Sequence, residues 1–142
     1  MKKFFSWAEE EIIISAIREA ERSCDCEIRV HVEFMMPPIP VIEAAIQIFE
    51  KLKMHRTARR NGVLIFLVPE RNEFAIIGDT GIHEKVPPGY WDEVYHVMKN
   101  YFQDSRFVAG TCEAIRMCGD ELKKHFYNGA NLNQLPDKIS YA

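Results

Sequence analysis

The sequence predicts an α/β fold, a three-layer α/β/α sandwich around a small mixed central sheet. Segments with helical spacing of apolar residues alternate with short strand-like runs, in the order α-β-α-β-β-α-α. The strand-helix-strand passage predicts a parallel pair with a right-handed crossover, and the short turn Pro69–Asn72 adds an antiparallel hairpin strand. Because four helices cannot all pack on one face of so small a sheet, we expect helices on both faces.

Four amphipathic segments predict the helices. The first begins at Ser6, since Ser6 and Glu9 have the spacing of a capping box. The others begin near Val41, Tyr90 and Val108, where apolar residues recur at helical spacing.

Three segments predict the strands. Glu27–Phe34 alternates strictly between polar and apolar residues, which is typical of a half-exposed strand. Gly62–Val68 and Phe74–Ile77 are continuously apolar, which indicates strands buried on both faces. The last strand ends in the turn Gly78–Gly81.

Length and composition fit one soluble globular domain. The chain has 142 residues, of which 47% are hydrophobic and 27% charged. We assign residues 1–127 to a single domain and the polar segment 128–142 to a flexible C-terminal tail. A net charge of -3 gives no electrostatic reason to expect nucleic acid as a partner.

We expect a cytoplasmic protein without a membrane span. Met1–Phe5 begins like a signal peptide, but Glu9, Glu10 and Glu11 follow before any apolar run of sufficient length. No stretch approaches the roughly 18 consecutive apolar residues of a membrane helix.

The four cysteines form no C-x-x-C pair of the kind that binds zinc. Cys112 and Cys118 are interpreted as core thiols, because free cysteine is usually buried. Cys24 and Cys26 are two residues apart and would share one strand face, so a metal or redox role stays open for them.

Strand directions predict a candidate site around Asp79. The hairpin places Asp79 beside the start of the Gly62 strand, and a parallel first strand would start at the same rim of the sheet. Carboxylates and an amide oxygen gathered there suit Ca²⁺ or Mg²⁺. The predicted metal ligands are Asp79, Asp25, Asn61 and Glu84, with Arg60 beside them.

A structural interpretation of the same residues stays open. Asp79 between Gly78 and Gly81 is also typical of an Asx turn. Arg60 would then form a salt bridge with Asp79 and have no further role.

Three segments resemble the TPM domain family: "AIREAERSCDCEIRVHVE", "KLKMHRTARRNGVLIFLV" and "FAIIGDTGIHEKVPPGYWDEV". The similarity spans about residues 8–126. It is strongest at Met54–Thr57 leading into Arg60–Leu64, and at Phe74–Gly81. The resemblance implies an α/β/α sandwich, and divalent-cation binding or acid phosphatase activity as ascribed to some members.

This chain departs from the family pattern in two respects. Cys24, Asp25 and Cys26 stand where bacterial relatives tend to carry Thr-Ser-Gly. The signal peptide and C-terminal membrane helix of many relatives are missing, so we expect a stand-alone cytoplasmic version.

The sequence therefore favours a divalent-cation binding module that acts through a protein partner. The alternative is a metal-assisted acid phosphatase, in which the ion polarises a phosphoryl oxygen and activates water. The sequence contains neither a P-loop nor a known phosphatase nucleophile motif. A scaffold without a ligand also stays open.

Overall fold

The computed structural model describes residues 3–128 and 139–142. The strands are β1 (Glu27–Val32), β2 (Gly62–Val68), β3 (Glu73–Gly78) and β4 (Ile139–Tyr141). The helices are α1 (Trp7–Glu21), α2 (Val41–Lys51), α3 (Thr80–His83), α4 (Tyr90–Gln103) and α5 (Phe107–Phe126). Short 3₁₀ turns lie at Met54–Arg56 and Pro69–Arg71.

The strands form one mixed sheet in the order β3-β2-β1-β4. β1 is parallel to both β2 and β4, and β2 is antiparallel to β3. The predicted parallel pair and hairpin strand are therefore confirmed. The register sets Glu27 opposite Gly62 and Val63 opposite Gly78, so the starts of β1 and β2 and the exit of β3 lie at one rim.

Two hydrophobic cores lie on opposite faces of the sheet. The larger core joins α1, α4 and α5 to residues such as Val30 and Ile65. The smaller core joins α2 to the other face through Phe49, Leu64 and Phe66. β2 alternates between the two cores, and the three-layer α/β/α sandwich is confirmed.

β4, which no pattern in the sequence predicted, lies within the segment assigned to a flexible tail. Its three residues are too few to show strand periodicity, but they pair with Val30–Val32 of β1. Tyr141 also donates a hydrogen bond to Glu10 of α1, with 2.5 Å between the oxygens. Residues 129–138 lie outside the described residues, so the domain boundary at residue 127 stays a prediction.

The prediction that the first strand is half exposed is wrong, because every residue of β1 is buried. Its polar side chains find partners instead of water. His31 Nδ1 lies 2.8 Å from the hydroxyl oxygen of Ser140 on β4, and Nε2 lies 3.1 Å from a carboxylate oxygen of Glu33. The His31 ring also stacks on Phe66.

The cysteines differ from the sequence-based expectation in one respect. Cys24 and Cys26 precede β1 and form a disulfide, and both are buried. Cys112 and Cys118 are free thiols, and burial raises the pKa of Cys118 to about 12. The cytoplasmic location stays a prediction.

Within the described ranges, 3–128 and 139–142, no helix has the length and apolarity that crossing a membrane requires.

Candidate functional site at the rim of the sheet

Three loops meet at the rim where β1 and β2 start and β3 ends. The backbone N–H of Asp79 donates to the carbonyl of Gly62 at 2.9 Å. The side-chain Nδ2 of Asn61 donates to the carbonyl of Asp25 at 2.5 Å. The hairpin and the parallel pair therefore bring Asp25, Asn61 and Asp79 to the same rim.

Among the described residues, the carboxylate of Asp79 accepts three hydrogen bonds, two of them from Arg60. The guanidinium Nε of Arg60 donates to Oδ2 at 2.8 Å and Nη2 donates to Oδ1 at 2.9 Å. The backbone N–H of Thr80 donates to Oδ1 at 2.7 Å, so Asp79 is also the N-cap of α3. The hydrogen bonds from Arg60 to Asp79 and the negative charge of that carboxylate raise the pKa of Arg60.

The two partners differ in their exposure. The Asp79 side chain is 5% exposed and the Arg60 side chain 51% exposed. The carboxylate is therefore fixed by the fold, while the guanidinium reaches it from the solvent side.

The chain before β2 folds tightly against the turn after β3. Arg60 has a φ of 52°, in the left-handed region. The hydroxyl of Thr57 accepts from the backbone N–H of Asn61 at 3.2 Å, which holds this turn. Gly81 N–H donates to the Arg60 carbonyl at 2.7 Å, and a Cβ at Gly81 would lie 2.1 Å from the carbonyl oxygen of Arg59. Only glycine permits this approach of the two backbones.

The side chain of Asn61 has one satisfied and one unsatisfied polar atom among the described residues. The residue is fully buried, and its Oδ1 has no hydrogen-bond partner within the described part of the chain. Such atoms are rare, because a buried polar group without a partner costs free energy. Nearby, the Asp25 carboxylate is largely buried and lies 3.9 Å from the guanidinium of Arg59.

Glu84, the fourth predicted ligand, lies apart from these contacts. It is the C-cap of α3 and is exposed, and its side chain has no ion pair with any residue in the described ranges. Nowhere among residues 3–128 and 139–142 do three His, Cys, Asp or Glu side chains gather closely enough to hold a metal ion. A cation at this rim would therefore have to replace Arg60 at Asp79 and draw on amide and carboxylate oxygens together.

A cleft beside Asp79 is lined by three polar residues that were not among the candidates predicted from the sequence, Glu50, His55 and Thr80. The cleft has a volume of about 450 Å³. Its polar lining comes from Glu50, His55, Arg60, Asp79 and Thr80. His55 Nδ1 is buried and has no hydrogen-bond partner in the described ranges. The signal in the sequence that points to His55 is its position in the Met54–Thr57 segment, where the family resemblance is strongest.

The family model named "TPM domain" matches residues 1–121 of the chain. The chain belongs to the TPM domain family. The resemblance noted at Met54–Thr57 and Phe74–Gly81 is thereby confirmed. The turn around Arg60 and the turn around Asp79, which pack against each other, both lie within the matched residues.

Solved structures agree with this assignment. The BA42 protein from the psychrophilic bacterium Bizionia argentinensis, solved by NMR, is 35% identical. The alignment covers 100% of this chain and 98% of BA42, with a TM-score of 0.92.

Two more distant structures share the fold. An N-terminal domain from P. gingivalis is 19% identical over 86% of this chain and 78% of its own length, with a TM-score of 0.72. The N-terminal domain of the cg2496 protein from Corynebacterium glutamicum is 14% identical over 86% of this chain and 76% of its own, with a TM-score of 0.67. The comparison with curated proteins gave no match.

Proposed function

We propose that this TPM domain is a divalent-cation binding module, in which Ca²⁺ or Mg²⁺ competes with Arg60 for the carboxylate of Asp79. The observation that carries the proposal is the buried Oδ1 of Asn61, which lacks a donor among the described residues. A bound ion can satisfy such a buried oxygen, and amide oxygens are among the ligands of Ca²⁺.

The other oxygens at the rim are of the same chemical kind. Asp79 and Asp25 contribute carboxylates, whereas Glu84, the exposed C-cap of α3, lies apart from them. Hard oxygen donors of this type are preferred by Ca²⁺ and Mg²⁺. Ca²⁺ tolerates irregular geometry better than Mg²⁺, so a rim that rearranges on binding favours Ca²⁺.

The competition with Arg60 has a physical basis. Arg60 carries a single positive charge and reaches the buried carboxylate of Asp79 from an exposed position, so its guanidinium can return to solvent when the pair is broken. A divalent ion attracts the same carboxylate more strongly at equal distance. Releasing Arg60 would present a free guanidinium beside the cleft, and this change of surface charge is the signal that we expect a protein partner to recognise.

Calorimetric titration with CaCl₂ and MgCl₂ tests the proposal. Asp79→Asn should abolish binding, because it removes the charged ligand and keeps the turn. Arg60→Gln should tighten binding several-fold, because it removes the competing cation. Arg56→Gln, an exposed arginine in the neighbouring 3₁₀ turn, is the matched control and should leave the affinity unchanged. Unchanged heats in Asp79→Asn would overturn the proposal.

The cleft favours a second function, the metal-assisted acid phosphatase. The guanidinium of Arg60 and the imidazole of His55 both line the cleft, and groups of these two kinds can bind an anion and transfer a proton. In that function Arg60 would bind the phosphoryl group and His55 would donate a proton to the leaving oxygen.

The variant Arg60→Gln separates the two functions. It should raise cation affinity in a binding module, whereas it should abolish metal-dependent hydrolysis of a phosphomonoester in a phosphatase. Turnover that survives both Arg60→Gln and His55→Gln would exclude the cleft as a phosphatase site.

A further inference from the structure

β3 forms an edge of the sheet along its whole length. The hydrogen bond from Asp79 to Gly62 fixes which residues of β3 face β2, because hydrogen-bonded positions alternate in an antiparallel pair. Glu73, Ala75 and Ile77 direct their backbone groups toward β2. Phe74, Ile76 and Gly78 direct theirs away from it, toward the open edge.

The side chains around this edge are apolar. Ile42 and Ile46 on α2 are each 47% exposed, and Tyr95 on α4 is 39% exposed. A groove of about 430 Å³ follows the edge between α2 and α4, and its lining includes Ile76 and Trp91. β3 carries neither lysine nor proline, the residues that commonly protect an edge strand from pairing.

We propose that a second copy of this chain pairs with the open edge, β3 antiparallel to β3, about a twofold axis near Ile76. In this register Ile76 of each copy exchanges two backbone hydrogen bonds with Ile76 of the other, and Phe74 lies opposite Gly78. The two four-stranded sheets become one sheet of eight strands. The apolar groove of each copy is covered, and each copy uses the same surface, as a closed twofold dimer requires.

The charges on α4 favour a second copy over an unrelated peptide. α4 runs antiparallel to β3, because Trp91 packs at Gly78 and Phe102 packs at Phe74. Asp92 and Lys99 are exposed and seven residues apart, which places them on one face two turns apart. The twofold axis reverses one α4 against the other, so Lys99 of each copy lies opposite Asp92 of the other.

On the face of the sheet that α2 covers, this register brings no unpaired like charges together. Glu73 of one copy lies opposite Asp79 of the other, and both are carboxylates. Each already has an arginine partner within its own chain, Arg71 for Glu73 and Arg60 for Asp79. The pairing therefore brings no uncompensated negative charges together.

Sedimentation velocity of the full chain over micromolar to millimolar concentrations tests the proposal. The protein should sediment as a dimer at the upper concentrations. Asp92→Lys and Lys99→Asp should each weaken dimerisation at least tenfold, because each places like charges opposite one another twice. The double variant should restore the dimer, and so should mixing the two single variants, since that heterodimer contains two opposite-charge pairs.

Glu11→Lys is the matched control, an exposed charge reversal on α1 that should leave the dimer intact. A monomer at every concentration would overturn the proposal. A dimer that both single variants leave unchanged, or that neither the double variant nor the mixture restores, would overturn the proposed register. Far-ultraviolet circular dichroism of each variant verifies that the monomer fold is retained.

Discussion

Arg60 and Asp79 join the start of β2 to the exit of β3 through two parallel hydrogen bonds, of 2.8 and 2.9 Å. The pair sits where the backbones of residues 59–61 and 79–81 are in direct contact. Anything that binds Asp79 must therefore act on Arg60 as well. This link connects the local geometry of the rim to the proposed response to cations.

Asp79→Asn should lower the melting temperature of the cation-free protein slightly. Asparagine can still cap α3, but it loses the ionic hydrogen bonds from Arg60. Had Asp79 faced Asp25 or Glu84 across the rim, the same change would relieve repulsion and raise the melting temperature. Thermal unfolding in the presence of chelator measures the difference, with the exposed Asp104→Asn as control. A raised melting temperature would contradict the Arg60–Asp79 pairing.

Gly81→Ala should destabilise the protein by about 1–3 kcal/mol, the usual cost of overpacking. Within a helix this substitution is ordinarily favourable, by about 1 kcal/mol. Here the added Cβ would lie 2.1 Å from the Arg59 carbonyl oxygen and 2.6 Å from that of Arg60. Urea unfolding gives the free energy, and Thr80→Ala in the same short helix is the control. A stabilised Gly81→Ala protein would show that the two loops are not in contact.

His31 should make the protein less stable as the pH falls from 7 toward 5. Burial lowers the pKa of His31 below its ordinary value of 6.5, so the unfolded chain takes up the proton more readily than the folded one. The stability that neutral His31 contributes is fully present above the pKa of His31 in the unfolded chain. It is lost as the pH falls through the lower pKa of His31 in the folded protein. His31→Gln should flatten the dependence of the unfolding free energy on pH in this window, while the exposed His96→Gln should retain it.

The contacts of His31 support its neutral form. A neutral ring can donate from Nε2 to the carboxylate of Glu33 and accept at Nδ1 from the hydroxyl of Ser140. Protonation would remove the acceptor at Nδ1, so the bond could persist only with its direction reversed, the Nδ1–H donating to the Ser140 hydroxyl oxygen. An unchanged pH dependence in His31→Gln would indicate that another group controls the acid transition.

Reducing the Cys24–Cys26 disulfide should cost about 1.5 kcal/mol of unfolding free energy or less, because so short a loop loses little chain entropy. Urea unfolding with and without a dithiol reductant measures it. The double variant Cys24→Ser with Cys26→Ser should be insensitive to the reductant, although it retains the free thiols of Cys112 and Cys118. A loss of several kcal/mol would show that the bond holds the start of β1 in place.

The sequence predicted the position of the rim because strand directions follow from connectivity. A parallel pair and a hairpin place Asp79 beside Gly62 and Asp25 beside Asn61, independently of the side-chain conformations. The sequence left open whether Arg60 pairs with Asp79. The pairing depends on a left-handed backbone at Arg60, which no sequence pattern reveals.

The features that the sequence did not predict depend on contacts between distant segments. β1 was predicted to be half exposed because its polar residues alternate with apolar ones. His31 is nevertheless buried, and its ring lies within hydrogen-bond distance of Ser140, more than a hundred residues away in the sequence. β4 is too short to be recognised from spacing, and its place depends on pairing with β1. The cleft could not be predicted from the sequence either. Glu50 and His55 belong to different elements, and only the packing of those elements brings them together with Asp79.

The most direct measurement of the central claim is an NMR titration that observes the Nε–H signal of Arg60 while Ca²⁺ is added. In the cation-free protein this hydrogen is bonded to Oδ2 of Asp79 and should be protected from exchange with water. If Ca²⁺ takes the carboxylate, the signal should move toward that of a free guanidinium, together with the amides of Asn61 and Thr80. The exposed Arg56 serves as an internal reference. An Arg60 signal that stays in place at saturating Ca²⁺ would contradict the account.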